Sequence, residues 1–189
     1  MMETKRLFLA IKVNPEDNFK EVYNGLKTKL KAQSIKWVEL FNVHFTLKFY
    51  GETTVDLIPD ICLKVEEAIK DVHGFEMHIN NTGIFGSSYQ PKVIWFGIDN
   101  NPVLTTLAEN ILNNMVSIGF ERDRQNFVPH LTIGRIRYVD DKKLFNQVIE
   151  KYATVDIQKV YVSELYLYES ILRKEGPIYN VVKSFKLIE

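Results

Sequence analysis

A chain of 189 residues is long enough for one domain, or two small packed lobes, with a real core. Its 46% hydrophobic and 12% aromatic content excludes a disordered chain, and 24 basic against 24 acidic residues exclude a global field that draws in nucleic acid. One cysteine, Cys62, excludes an intrachain disulfide; with no signal peptide and no apolar run of about 18 residues, a cytoplasmic protein without a membrane anchor is expected.

Arg6 to Val13 reads as a short buried strand ended by Asn14-Pro15. Asn14 is placed to cap a helix that runs to about Ala32, with Phe19, Val22, Tyr23, Leu26 and Leu30 at helical spacing. Lys36 to Leu40 reads as a strand, and a turn near Asn42 leads into another that Gly51 breaks. A second helix fits from about Val55 to Val72, on a stripe of Ile58, Ile61, Cys62, Val65, Ile69 and Val72. Phe75 to Asn80 alternates as a strand, Thr82 to Pro91 reads as a glycine- and serine-containing loop, and Lys92 to Ile98 as the next strand.

Asn101-Pro102 repeats the helix opening of Asn14-Pro15, and Gly119 is the natural stop of the third helix. A charged loop, Glu121 to Asn126, precedes a strand over Phe127 to Arg137. A shorter helix from about Asp141 to Tyr152 and strands near Thr154–Gln158, Lys159–Glu169 and Ile178–Ile188 complete the chain. The order strand, helix, strand, strand thus occurs twice, from residue 6 and from residue 92, the loop at Glu121 standing in for one strand of the second copy. The pattern predicts an α+β fold of two similar lobes of mainly antiparallel sheet, with residues 1–189 forming one unit.

Two of these strands carry the same short motif. Val43-His44-Phe45-Thr46-Leu47 and Pro129-His130-Leu131-Thr132-Ile133 each place a histidine and a threonine two residues apart between apolar neighbours. Alternate side chains of a strand share a face, so His44 stands beside Thr46 with Phe45, Leu47 and Phe49 behind, and His130 stands beside Thr132 with Leu131 and Ile133 behind. One such histidine reads best as a satisfied side chain on a half-buried strand; a matched pair in a chain with four histidines reads as a site.

The duplicated motif resembles the 2H phosphoesterase superfamily, and the whole chain resembles its RNA 2′,3′-cyclic phosphodiesterases, also called 2′-5′ RNA ligases. The resemblance runs from Arg6-Leu7-Phe8-Leu9-Ala10-Ile11 and Trp37-Val38, through His44 to Glu52 and the Trp95 strand, to Phe127-Val128-Pro129-His130-Leu131-Thr132-Ile133-Gly134-Arg135 and Tyr168-Glu169-Ser170. It implies a bilobal α+β fold with helices on the outer faces and a central cleft that receives one motif from each lobe. It also implies hydrolysis of RNA 2′,3′-cyclic phosphate ends, tRNA fragments among them, to 2′-phosphomonoesters, with His44 as proton donor and His130 as proton acceptor. Thr46 and Thr132 would hold the phosphoryl oxygens, and no cofactor is implied. A P-loop is absent from the sequence, so "ligase" here would mean the reverse of ring opening, with an RNA 5′-hydroxyl in place of water.

The residues themselves support this chemistry. An in-line displacement at phosphorus takes up a proton on one side and releases one on the other, and two imidazoles with ordinary pKa values of about 6.5 suit both tasks near neutral pH. A zinc site wants three or four ligands, and neither motif brings a carboxylate or a thiol, so no metal is expected. His73, His78 and Cys62 read as surface or core residues.

For substrate binding, Arg122, Arg124, Arg135 and Arg137 form a basic patch that Glu121 and Asp123 partly offset. Arg135 has the wrong parity for the His130 face and reaches a cleft only if Gly134 marks a bulge or the strand ends there. Phe127, Tyr168, Trp37 and Trp95 are candidates for stacking a base, with core packing the alternative for each, and Ser170 is a further substrate candidate. A monomer is expected. Alternative readings are a 2′,5′-oligoadenylate or 3′-end-trimming phosphodiesterase with the same machinery, and a non-catalytic RNA-end-binding module.

Overall fold

The computed structural model describes residues 2–122, 128–174 and 176–189. In chain order the elements are β1 (Thr4–Lys12), α1 (Asp17–Lys29), β2 (Ser34–Trp37), β3 (His44–Thr54), α2 (Ile58–Ile69), β4 (Phe75–Gly86), β5 (Pro91–Ile98), α3 (Pro102–Val116), β6 (His130–Tyr138), α4 (Lys142–Lys151), β7 (Asp156–Val162), β8 (Glu164–Ile171) and β9 (Ile178–Lys186). They build two sheets, ordered β3-β1-β8-β9 and β2-β6-β5-β4-β7. All ladders within them are antiparallel, as the predicted α+β class requires. α2 and α3 pack together and cover the first sheet; α1 and α4 cover the second.

The two sheets are not two successive stretches of chain. β2, which precedes the first motif strand, leaves that strand's sheet and pairs with the second motif strand, β6. α3, which follows β5 of the second sheet, packs on β3 of the first. This exchange supplies the strand that the sequence lacks before the second motif. It also joins the buried faces of both sheets into one apolar cluster, with Leu7, Leu9, Phe45, Phe96, Leu131 and Ile133 among its fully buried members.

Several expected boundaries move, each for a local reason. Gly51 does not end β3; at φ 74 it lies in a second irregularity of that strand, which pairs with β1 as far as Thr54. The expected loop at Thr82 is strand as well, because Asn81 takes a left-handed φ of 58 and is skipped in the ladder, so that Thr82 to Phe85 pair with β5. The break near Gln158 falls instead at Ser163, between β7 and β8. The second motif strand begins at His130, and Phe127, Arg124 and the rest of 123–127 lie outside the described residues.

The two Asn-Pro openings behave differently. Asn101 caps α3 by accepting from the Leu104 N–H at 3.1 Å. Asn14 does not cap α1, which starts after Glu16 without a side-chain cap. The buried Gln158 of β7 serves there: its Oε1 accepts the Glu16 N–H at 3.0 Å and its Nε2 donates to the Asn14 carbonyl at 3.0 Å. One amide therefore satisfies a helix-entry donor and the chain that leads to it. Gln158→Leu removes the partner of both backbone groups, which belong to the exposed residues Asn14 and Glu16, and is expected to lower stability by roughly 1 kcal/mol, read as an earlier urea midpoint at unchanged slope.

Candidate active site

β3 and β6 meet where the two sheets face each other, and between them lies a cleft of about 770 Å³. His44, Thr46, His130, Thr132, Arg135 and Ser170 all line it. The two motifs, remote in sequence, thus open on one space.

The same backbone device shapes both strands. On β3, Thr46 pairs with Ala10 and Lys48 with Leu9, so Leu47 is an extra residue. On β6, Thr132 pairs with Trp95 and Gly134 with Ile94, so Ile133 is an extra residue. Each bulge lies three positions after its histidine and reverses the alternation beyond it. The condition set by parity for Arg135 is met in this way, and Arg135 stands on the cleft face with Thr132. The other bulge overturns the expectation for Phe49: it lines the cleft and is 48% exposed, while Lys48 turns inward to 4% exposure. Lys48 Nζ there donates to the Glu121 carbonyl at 3.0 Å.

The imidazoles are oriented alike. His44 Nδ1 lies 2.7 Å from the Asn42 carbonyl and His130 Nδ1 lies 2.8 Å from the Val128 carbonyl, in each case two residues back. A carbonyl only accepts, so Nδ1 carries the hydrogen in both rings, and in the neutral ring Nε2 holds the basic lone pair. His44 is the more enclosed: the Phe8 ring lies 4.8 Å away and Tyr179 meets it edge-on at 5.2 Å. His130 has Phe85 edge-on at 4.6 Å.

Burial lowers the proton affinity of both histidines below the ordinary value of 6.5, and the positive charge of Arg135 lowers it further, against the raising effect of the two backbone hydrogen bonds. A bound phosphodiester would bring the opposite charge. Two neutral rings before binding, and one protonated ring beside the anion, is the state that this field favours. Burial also raises the pKa of Tyr179, although Arg135 and Arg6 oppose the shift, so its hydroxyl stays protonated as a donor.

Other candidates are placed differently. Tyr168 does not line the cleft: it is 8% exposed and stacks at 5.3 Å on Phe8, so it backs the ring that backs His44. Trp37 lines the cleft, whereas Trp95 packs across Gly83, where an added Cβ would fall 2.2 Å from the indole. Phe127 lies outside the described residues. His78 sits away from the cleft between Asp99 at 2.6 Å and Asp156 at 2.7 Å, and these carboxylates raise its pKa, Asp156 most. Among the described residues no three His, Cys, Asp or Glu side chains are grouped to hold a metal ion. The sequence reading missed Arg6, Phe8, Lys36, Phe41, Asn42 and Tyr179 as cleft residues. Asn42 carried a usable signal in its position two residues before a motif histidine; Tyr179 sits in a strand with no motif.

Comparison with known proteins agrees with this geometry. The family described as LigT like Phosphoesterase matches residues 10–95 and 97–179, one histidine strand in each stretch. The RNA 2′,3′-cyclic phosphodiesterase of Methanocaldococcus jannaschii is 37% identical over 180 residues, which cover 95% of this chain and 99% of that protein. The protein of the same name from Aquifex aeolicus is 33% identical, over 98% of this chain and 99% of its own. Among solved structures, TT0787 of Thermus thermophilus superposes with a TM-score of 0.77 at 23% identity, over 96% of this chain and 97% of its own. E. coli LigT complexed with 3′-AMP superposes with a TM-score of 0.74 at 21% identity, over 99% of this chain and 100% of its own. With its two histidine strands on one cleft and matches that run nearly end to end, the chain belongs to the LigT-like family of 2H phosphoesterases.

Proposed function

We propose that this protein opens 2′,3′-cyclic phosphate ends of RNA to 2′-phosphomonoesters, by proton transfer between two histidines and without a metal. The observation that carries the reading is the pair of Nδ1-tethered imidazoles, each beside a threonine, on the two sides of one cleft that also holds Arg135. The names of the two relatives above, at 37% and 33% identity, support the same substrate class.

In the proposed step, Nε2 of His130 takes a proton from a water molecule as its oxygen bonds to phosphorus. The bond from phosphorus to the ribose 3′-oxygen breaks on the opposite side, and His44, protonated at Nε2, gives its proton to that oxygen. Thr46 and Thr132 donate to the non-bridging oxygens, and Arg135 balances their charge. One proton enters the pair and one leaves, so each turnover ends with the roles reversed until solvent exchanges them. With an RNA 5′-hydroxyl in place of water, the same groups run the joining reaction. Ser170, on the cleft wall, is proposed as a further contact to the substrate. The reading extends to tRNA fragments as substrates and to a monomer of one bilobal unit, residues 1–189, acting in the cytoplasm; the shared apolar core supports the single unit.

A short RNA with a 2′,3′-cyclic phosphate, incubated with the protein in EDTA, is expected to yield the 2′-phosphate. Binding without conversion would instead mark an RNA-end-binding module, and a loss in EDTA that zinc or manganese reverses would show a metal requirement. His44→Ala or His130→Ala should each lower turnover on the order of a hundredfold or more. Thr46→Ala and Thr132→Ala should cost about tenfold to a hundredfold, since proton transfer survives the loss of one donor.

The pH dependence follows from the lowered histidines. The bell in kcat/KM, which reports the free enzyme, should lie on the acid side of 6.5. Arg135 disfavours the charged form of both rings, so Arg135→Gln should move both imidazole titrations to higher pH, as followed by their Cε1–H resonances. Unmoved titrations would show that the guanidinium does not act on the pair.

A further inference from the structure

We propose that Asn42 is a positioning residue that couples the cleft wall formed by the β8–β9 connection to the orientation and water-shielding of His44. The proposal rests on the functional reading above only for the meaning of His44; the contacts themselves stand apart from it.

Asn42 ends a 3-10 turn, Leu40–Asn42, directly before β3. Its two polar groups point to different parts of the site. The main-chain carbonyl accepts His44 Nδ1–H at 2.7 Å, while the side-chain Nδ2 donates to the Pro177 carbonyl at 3.0 Å. Pro177 belongs to the connection from β8 to β9, which forms the facing wall with Leu172, Gly176, Ile178 and Tyr179. Among the described residues, this is the hydrogen bond that ties the wall of residues 36–42 to the wall of residues 170–179. The tie is local to the catalytic ring on both sides, since Asn42 lies two residues before His44 and Pro177 two residues before Tyr179, whose ring meets His44 edge-on at 5.2 Å.

The Asn42 amide thus anchors the chain that enters β9, two residues before the aromatic group that keeps water from one face of His44; Tyr179 itself is also paired with Ser170 of β8 and packed at 4.9 Å on Phe8. Phe8 covers a further face from β1 at 4.8 Å. The charged and titratable groups that share the cleft with His44 are Tyr179 of β9, Arg6 of β1, Arg135 and His130 of β6, and Lys36 and Glu39 of the 36–42 wall. None of these is carried by the Asn42 side chain, so its loss acts on His44 through the withdrawal of the wall and not through a removed charge. Exclusion of water is the largest influence that lowers the proton affinity of His44. Releasing the wall lets water reach the ring and moves the titration upward, towards that of an ordinary histidine. His130, whose ring contact is Phe85 and whose tether is the Val128 carbonyl, keeps its own surroundings.

The test compares wild type with Asn42→Ala, which keeps the main-chain carbonyl and removes the amide, and with Asn42→Gln, which retains a donor. Asn42→Ser, whose side chain falls short of Pro177, replaces the alanine variant should that fail to fold. The imidazole titrations of the free proteins are followed by NMR, and kcat and KM are measured on a short RNA ending in a cyclic phosphate. The expected result is an upward move of the His44 titration in Asn42→Ala with His130 unmoved, a KM raised about three- to tenfold against a smaller change in kcat, and partial recovery of both in Asn42→Gln. An unmoved His44 titration overturns the proposal, as does an equal move of both histidines, which would mark Asn42 as a general support of the fold. A wild-type protein that opens no cyclic phosphate would defeat the functional reading, while the titrations of the free proteins would still decide the role of Asn42.

Discussion

Each of the two cleft histidines gives its Nδ1–H to a carbonyl two residues back, and the rest of the site depends on that hydrogen bond. It fixes the tautomer, so that the transferable proton belongs to Nε2, and it fixes the plane in which that nitrogen can act. A free imidazole would flip between tautomers and rotamers; one tethered to its own strand entry cannot do so without breaking a bond. The carbonyl must therefore be held as firmly as the ring, which gives the turn before β3 and the chain entering β6 their importance.

Symmetry extends from the tether to the strand. A bulge three residues after each histidine brings the second residue beyond it onto the cleft face, Phe49 in one motif and Arg135 in the other. One copy thereby contributes an aromatic ring, over which the guanidinium of Arg6 sits at 5.0 Å, and the other contributes a cation whose field reaches both imidazoles. The frame is duplicated while its fillings differ, which suits the opposite tasks proposed for the two histidines. The enclosure differs in the same way: Phe8 and Tyr179 crowd His44, and Phe85 alone of the described rings meets His130.

The histidine and threonine pairs were legible in the sequence because alternation within four or five residues is a local property. Arg135 was legible as a condition, since its parity demanded either a bulge at Gly134 or the end of the strand there, and the bulge falls one residue earlier, at Ile133. Phe49 was misplaced because nothing in Leu47-Lys48 announces that both side chains turn inward; Lys48 does so to reach a carbonyl 73 positions along the chain. The crossing of β2 into the other sheet, and Gln158 taking the role expected of Asn14, are tertiary choices of the same kind. Tyr168 stood between stacking a base and core packing, and the stack of Phe8 above it, which takes the cleft face, decides for the core. Local pattern gave the elements and the two motif pairs; the packing of one sheet on the other decided which neighbours they met.

The central claim is that the two imidazoles act as one unit on one phosphate, and a double-mutant cycle on cyclic phosphate opening tests it most directly. If they pass protons to and from the same transition state, His44→Ala combined with His130→Ala should cost much less than the product of the two single losses. Losses that multiply, each independent of whether the other histidine is present, would contradict the account.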